Sequence, residues 1–197
     1  MPTTAKTDIE VAQRAMVMVG MEPLSSFTES TDEALVMNTV FEDIVEDCLS
    51  MHNWNFATGQ IQLARLTDTP LDRWDAAYQL PTNPKVVQNY DIYEDKVFMN
   101  ADINDDVVLN YIFRVATQDW IPPFTLWVIY RLANVLALSV IRKGDIARSY
   151  QNLADAQFRM AKARDSQQTT TQQVALDRFT KVRLGSNLFA RIEGETS

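Results

Sequence analysis

Residues 124–141 read FTLWVIYRLANVLALSVI, which is apolar on almost every side of a helical wheel. A helix of that kind is stable only where other elements cover it all round. Pro122-Pro123 stands immediately before it, and proline at the first helical positions presets the helical φ where no amide partner is needed. Arg131 and Asn134 interrupt the run. An arginine at the centre of a bilayer costs about 2.5–3.5 kcal/mol even on lenient scales. The segment therefore predicts a buried core helix and not a membrane span, and the rest of the chain has to supply its cover.

Three further segments carry the 3.6-residue period of such a cover. Residues 8–19 open on Thr7 with Glu10 three positions on, a capping-box pattern, and Gly20 provides the stop. Ile9, Ala12, Met16 and Val19 share one face. Residues 32–51 follow a second such pattern at Ser30 and Glu33. Leu35, Met37, Asn38, Phe41, Ile44, Val45, Cys48 and Met51 form their broad stripe. Residues 146–164 place Ile146, Tyr150, Leu153, Gln157, Phe158 and Ala161 on one side. Lys143-Gly144-Asp145 is expected to turn the chain, so this helix should lie antiparallel to the core helix.

Between the second helix and the core helix the period changes to two. Ile61 to Leu66 reads as a strand, 67–74 with Pro70 as a loop, and 90–99 as two strands turning at Glu94-Asp95. Val107, Leu109, Tyr111 and Phe113 alternate with more polar neighbours. The expected fold is mainly α (α+β). It has a bundle of about four helices, a small inserted antiparallel β region over 58–114, and an extended C-terminal arm. Residues 1–165 form the body. A polar tether follows from 166, then an apolar and basic segment that includes Arg178, Phe179, Lys181, Arg183, Leu188, Phe189 and Arg191. Tethered segments of that composition order themselves by docking on a partner.

Charge is unevenly placed. Residues 1–141 hold 8 Lys/Arg against 20 Asp/Glu, and residues 142–197 hold 10 against 6, so balances of −12 and +4 make up the net −8. An acidic body does not suit gripping nucleic acid over its surface. The mildly basic C-terminal part suits docking against an acidic partner or against another copy of the chain. Glu42, Asp43, Glu46 and Asp47 crowd one side of the second helix, where like charges four apart repel by a few tenths of a kcal/mol. They read as a solvated or channel-facing side.

Candidate chemistry is thin. Cys48 is the single cysteine, which excludes an intrachain disulfide and a thiolate zinc cluster. His52 is the single histidine; with Cys48 four positions before it in apolar surroundings, it reads as a helix-terminal residue meeting the last carbonyls. Asp102 to Asp106 begins like a calcium loop, but Val107 occupies the glycine position and Phe113 the bidentate carboxylate position. The chain has no phosphate-binding glycine loop, so neither an enzyme nor a cofactor is expected. The N-terminal residues carry no apolar signal region.

The stretch 54–86, WNFATGQIQLARLTDTPLDRWDAAYQLPTNPKV, gathers Trp54, Phe56, Trp74, Tyr78 and Pro81 without any catalytic set. A first helix ending Val19-Gly-Met-Glu-Pro-Leu24 precedes it, with an acidic helix closing on Trp54-Asn-Phe56-Ala57. Trp74-Asp-Ala-Ala-Tyr78-Gln-Leu-Pro81 follows, then Tyr111-Ile-Phe-Arg-Val115 and the Pro-Pro helix start. That ordered set, over about 9–164, resembles the phage head–tail adaptors, the family that includes tail tubular protein A of short-tailed phages. The resemblance implies a structural virion protein at the head–tail junction. It would form a homo-oligomeric ring of twelve copies below the portal protein, with a downstream tail or nozzle protein beyond it. DNA would pass through without specific binding. A different tail connector or stopper, and a virion-associated cell-wall hydrolase, are the alternatives. The helical content favours the adaptor, and the lack of an acid–nucleophile pair disfavours the hydrolase.

Overall fold

The computed structural model describes residues 6–67, 74–80, 92–93, 96–100, 102 and 106–167. In chain order these form α1 (Asp8–Met18), α2 (Asp32–Ser50), a 3-10 turn at Asn55–Ala57, β1 (Thr58–Gln62), β2 (Ala76–Gln79), β3 (Ile92–Tyr93), β4 (Lys96–Met99), β5 (Val108–Ile112), a second 3-10 turn at Thr117–Asp119, α3 (Pro122–Ser139) and α4 (Gly144–Ser166). The fold is mainly helical with a small antiparallel β region.

α3 is the axis of the helical body, packed by α1, α2 and α4. Phe124, Trp127, Val128, Leu132, Ala133, Leu136 and Ala137 are all buried along it. Pro122 and Pro123 occupy its first positions. α4 returns antiparallel: Asn134 Nδ2 near the end of α3 donates to the Ala147 carbonyl near the start of α4, at 2.7 Å. Gln157 Nε2 donates to the Pro123 carbonyl at the opposite ends, at 3.0 Å.

The turn between them lies earlier than the sequence suggests. Gly144 and Asp145 are already helical, Lys143 is the N-cap, and Arg142 takes a left-handed φ of 57°. Amides of Val140 and Ile141 return to the Leu136 carbonyl, and that of Lys143 to Ala137, which closes α3 without a glycine. Leu153 does not join the buried side of α4. The small residues Ala147, Ala154 and Ala161 do, so α4 lies close against α3.

α1 has the expected capping box at Thr7 and Glu10, and Gly20 takes a φ of 80° after its end. The cap of α2 is Thr31 rather than Ser30. The Thr31 hydroxyl accepts from the Ala34 amide at 3.2 Å, which leaves Glu33 no reciprocal role. Leu35, expected in the apolar stripe, is exposed; Ala34 takes the inner position.

Among the described residues the β region is two sheets. β1 pairs antiparallel with β5, Thr58 opposite Ile112 and Gln62 opposite Val108. β4 lies between β2 and β3, both antiparallel to it. Tyr93 opposes Lys96 across the expected turn. Residues 63–66 leave β1 and run alongside β2, with Leu66 N on the Ala77 carbonyl at 2.8 Å. The strand expected over 61–66 is thus the passage from one sheet to the other, and its regular part begins earlier, at Thr58. Within the Trp74-to-Pro81 motif, Ala76–Gln79 is strand β2.

The period-2 pattern of β5 explains how the two parts join. Ile112 faces the helical core, while Leu109 and Tyr111 face a second cluster with Leu63, Ala76, Tyr78 and Leu80. Phe113 touches both.

Replacing Leu132 with Ala is expected to cost about 2–5 kcal/mol of unfolding free energy in urea titration. Replacing Gly59 with Ala puts a Cβ 2.9 Å from the Tyr111 ring. That overpacking should destabilise by about 1–3 kcal/mol; a neutral result would show that the ring yields freely.

Candidate functional site

Directly after α2 the chain makes a tight joint. Trp54 is fully buried, and its Nε1 donates to the Cys48 carbonyl at 3.0 Å. Its ring meets Phe124 at 5.0 Å and Trp127 at 5.8 Å from α3, Phe158 at 6.2 Å from α4, and Phe56 at 5.8 Å. Trp127 and Phe158 stack at 4.6 Å. One indole therefore touches the side chains of two helices while capping a carbonyl of a third.

Beside it lies a polar lock. Asp165, at the end of α4, is 1% exposed. Both its carboxylate oxygens accept from the Asn55 amide at 3.1 Å, and Asn55 Nδ2 donates to the Asp165 carbonyl at 2.8 Å. His52 Nε2 stands 3.7 Å from Asp165 and its ring sits edge-on to Trp54 at 4.9 Å. His52 thus faces a carboxylate rather than the last carbonyls of α2, correcting the sequence expectation.

Burial pushes the Asp165 carboxyl above its ordinary range, against the pull of the Asn55 amide and His52. Burial, joined by Lys162, lowers His52, and Asp165 opposes them. The Cys48 thiol is pushed up to about 12 by burial, so at neutral pH it is a packed thiol and a poor nucleophile.

The four acids of α2 do not form a uniform face. Glu42 is held by Arg114, whose Nε is 3.0 Å from Oε1 and whose Nη2 is 3.2 Å from Oε2. The same guanidinium reaches Asp8 at 3.4 Å and lies 5.2 Å from the Trp120 ring centre. Asp47 accepts from Arg131 Nη2 at 2.6 Å. Asp43 remains exposed, and Glu46 is half-buried. Arg114, Glu42 and Asp8 line an open polar groove of about 610 Å³ with Lys6 and Thr117. Thr117 Oγ1 donates to Asp8 there. Each of these cations has a carboxylate, carbonyl or hydroxyl beside it, so the groove presents no bare positive charge to an anion.

Of the other candidates, Phe56 is half-buried against Trp54 and Phe124, and Trp74 is half-buried. Tyr78 is buried in the second cluster, and its hydroxyl has no hydrogen-bond partner among the described residues. Pro81, Arg178, Phe179, Lys181, Arg183, Leu188, Phe189 and Arg191 lie outside the described residues. Among the described residues no three His, Cys, Asp or Glu side chains gather to hold a metal ion. No helix there is long and apolar enough to cross a membrane.

Asp165 was legible in principle. Positions 147, 154, 157, 161 and 165 form one buried line on α4, and a carboxylate on such a line needs a donor. Arg114 had no such signal, since its acids stand 72 and 106 residues away in the chain.

No protein-family model matches the chain, and no curated protein matches it.

His52 has a folded pKa below its unfolded value of about 6.5. Its neutral form thus contributes stability that is complete above that pH and lost as pH falls through the folded pKa. Asp165 has the opposite sign: its raised pKa means that protonation favours the folded state as pH falls through that value. The His52 window opens below its unfolded value of about 6.5. His52→Gln should shrink the drop in urea midpoint between about pH 7.5 and about pH 5.5. An undiminished drop would assign it to other groups.

Proposed function

We propose that this chain is a structural head–tail adaptor of a phage particle, assembling as a ring below the portal and extending the DNA channel toward the tail. The observation that carries the reading is where the motif residues fall. Trp54 and Phe56 join the end of α2 to α3 and α4. Tyr78 fills the centre of the second cluster, and the two prolines start the core helix. The residues that resemble the adaptor family are the joints of this fold, as expected where function consists of holding shape.

The acid-rich body suits the role electrostatically. Repulsion between carboxylates and phosphates keeps DNA sliding instead of sticking. Asp43, exposed on α2, is the acid best placed for such a lining, because Glu42 and Asp47 are partly neutralised by arginines. In this reading the segment that follows α4, whose end is locked through Asp165 to Asn55, docks through Arg178 to Arg191 on the portal or a neighbouring copy. The partner at the far side is the next protein of the tail, and the place of action is the virion.

Mixing the full chain with the portal of its own phage should yield one discrete complex carrying a closed ring of twelve copies, read by native mass spectrometry. Absence of association would move the chain to another joint of the tail. Removing residues 166–197 should abolish portal capture while the body stays folded by circular dichroism. Undiminished capture would remove the arm from the account.

A further inference from the structure

α4 has two faces, and among the described residues only one is packed against the rest of the fold. Ala147, Ala154, Gln157, Ala161 and Asp165 pack inward. On the opposite side Leu153, Ala156, Met160 and Ala163 recur at alternating spacings of three and four, which aligns them along a single helix face. All four are exposed, with Leu153 at 46% and Met160 at 62%. This is an apolar seam about three turns long, bordered by Arg159 and Arg164. Scattered apolar surface residues are ordinary, but a periodic seam suited to helix packing has a narrower meaning.

α2 carries a matching face of opposite sign. Its buried line is Ala34, Met37, Phe41, Ile44, Val45 and Cys48. Leu35, Thr39 and Asp43 lie on the outer side, with Glu46 at its edge, and Leu35 is 65% exposed. α2 and α4 each pack on α3, so the seam and the acidic face belong to different flanks of one molecule. Two unlike, complementary patches generate a head-to-tail contact, which closes into a ring or runs on as a filament; a patch complementary to itself makes a dimer.

We propose that the outer face of α4 in one copy docks on the outer face of α2 in the next. Leu35 of that second copy packs against the seam between Ala156 and Met160, and Arg159 and Arg164 meet the carboxylates around Asp43. The occupant is a second copy of this chain because the charge division exists within the chain itself, −12 over residues 1–141 against +4 beyond. The contact specifies the ring element of the proposed function and does not depend on the portal.

Two variants, Leu35→Cys and Met160→Cys, provide the test with a short bis-maleimide, Cys48 being buried and protected. Each alone should remain uncross-linked, and their mixture should give heterodimers. A chain carrying both should give a ladder or closed rings. Met160→Cys chains cross-linking among themselves would replace the proposal with a symmetric α4 pair. No cross-linking at any soluble protein concentration would overturn it.

Charge reversal gives an independent arm. Arg159→Glu with Arg164→Glu in one chain, or Asp43→Lys with Glu46→Lys in another, should each weaken self-association at least about tenfold, which is about 1.4 kcal/mol. An equimolar mixture should restore it, since every contact in an alternating assembly is then complementary. Failure of the mixture to restore association would also overturn the proposal. Portal capture of the same variants separates the two readings. Cross-linked rings that ignore the portal would preserve the interface and remove the adaptor role. Portal-bound rings indifferent to both reversals would do the reverse.

Discussion

The helical body of this fold is arranged around the insertion of Trp54 between α3 and α4. α3 has almost no polar side to give to water, so each of its faces must be covered by a different segment. Trp54 covers the face that α2 leaves open at its end, and its Nε1 satisfies the Cys48 carbonyl that the helix leaves without an internal partner. Large apolar burial and backbone satisfaction thus meet in one side chain. The 3-10 turn that follows directs the chain into β1, so the position of the β1–β5 sheet depends on the same anchor.

Asp165 completes the arrangement from the other end of the chain. A buried carboxylate is costly without donors, and the Asn55 amide supplies one that sits directly after Trp54. The lock makes the end of α4 and the joint after α2 a single structural point. A partner contacting the chain beyond residue 167 would pull on that point rather than on a fraying helix end. The polar groove around Arg114 adds a second tie, since one guanidinium connects α1, α2 and the end of β5 through Asp8, Glu42 and the Val115 carbonyl.

Much of this was legible where the signal is local. The capping box at Thr7, the proline start of α3 and the alternation in β5 depend on neighbours within a few residues, and each appears where the pattern places it. Boundaries failed where two local options compete. Ser30 and Thr31 are equally good caps, and the placement of Ala34 against the core decided for Thr31. Lys143-Gly144-Asp145 looked like a turn, but the α3 carbonyls at Leu136 and Ala137 close the turn earlier and free Gly144 to begin α4. Leu35 and Leu153 were assigned inward by the helical period; Ala34 on α2 and the small residues Ala147, Ala154 and Ala161 on α4 hold the inner positions instead. The pairing of Arg114 with Glu42 and of Asp165 with Asn55 joins residues distant in sequence, which no local pattern records.

The central claim is that the Trp54 joint makes α2, α3 and α4 one cooperative unit. Native-state hydrogen exchange on Trp54→Phe against the parent chain tests it directly. Phenylalanine keeps much of the packing and removes the donor to the Cys48 carbonyl. The account predicts that the slowest amides of all three helices lose protection by the same free energy, while the β2–β4 pair, whose cluster does not include Trp54, changes less. Loss confined to the last turn of α2 would contradict it, leaving Trp54 a local cap and the bundle held by α3 and α4 alone.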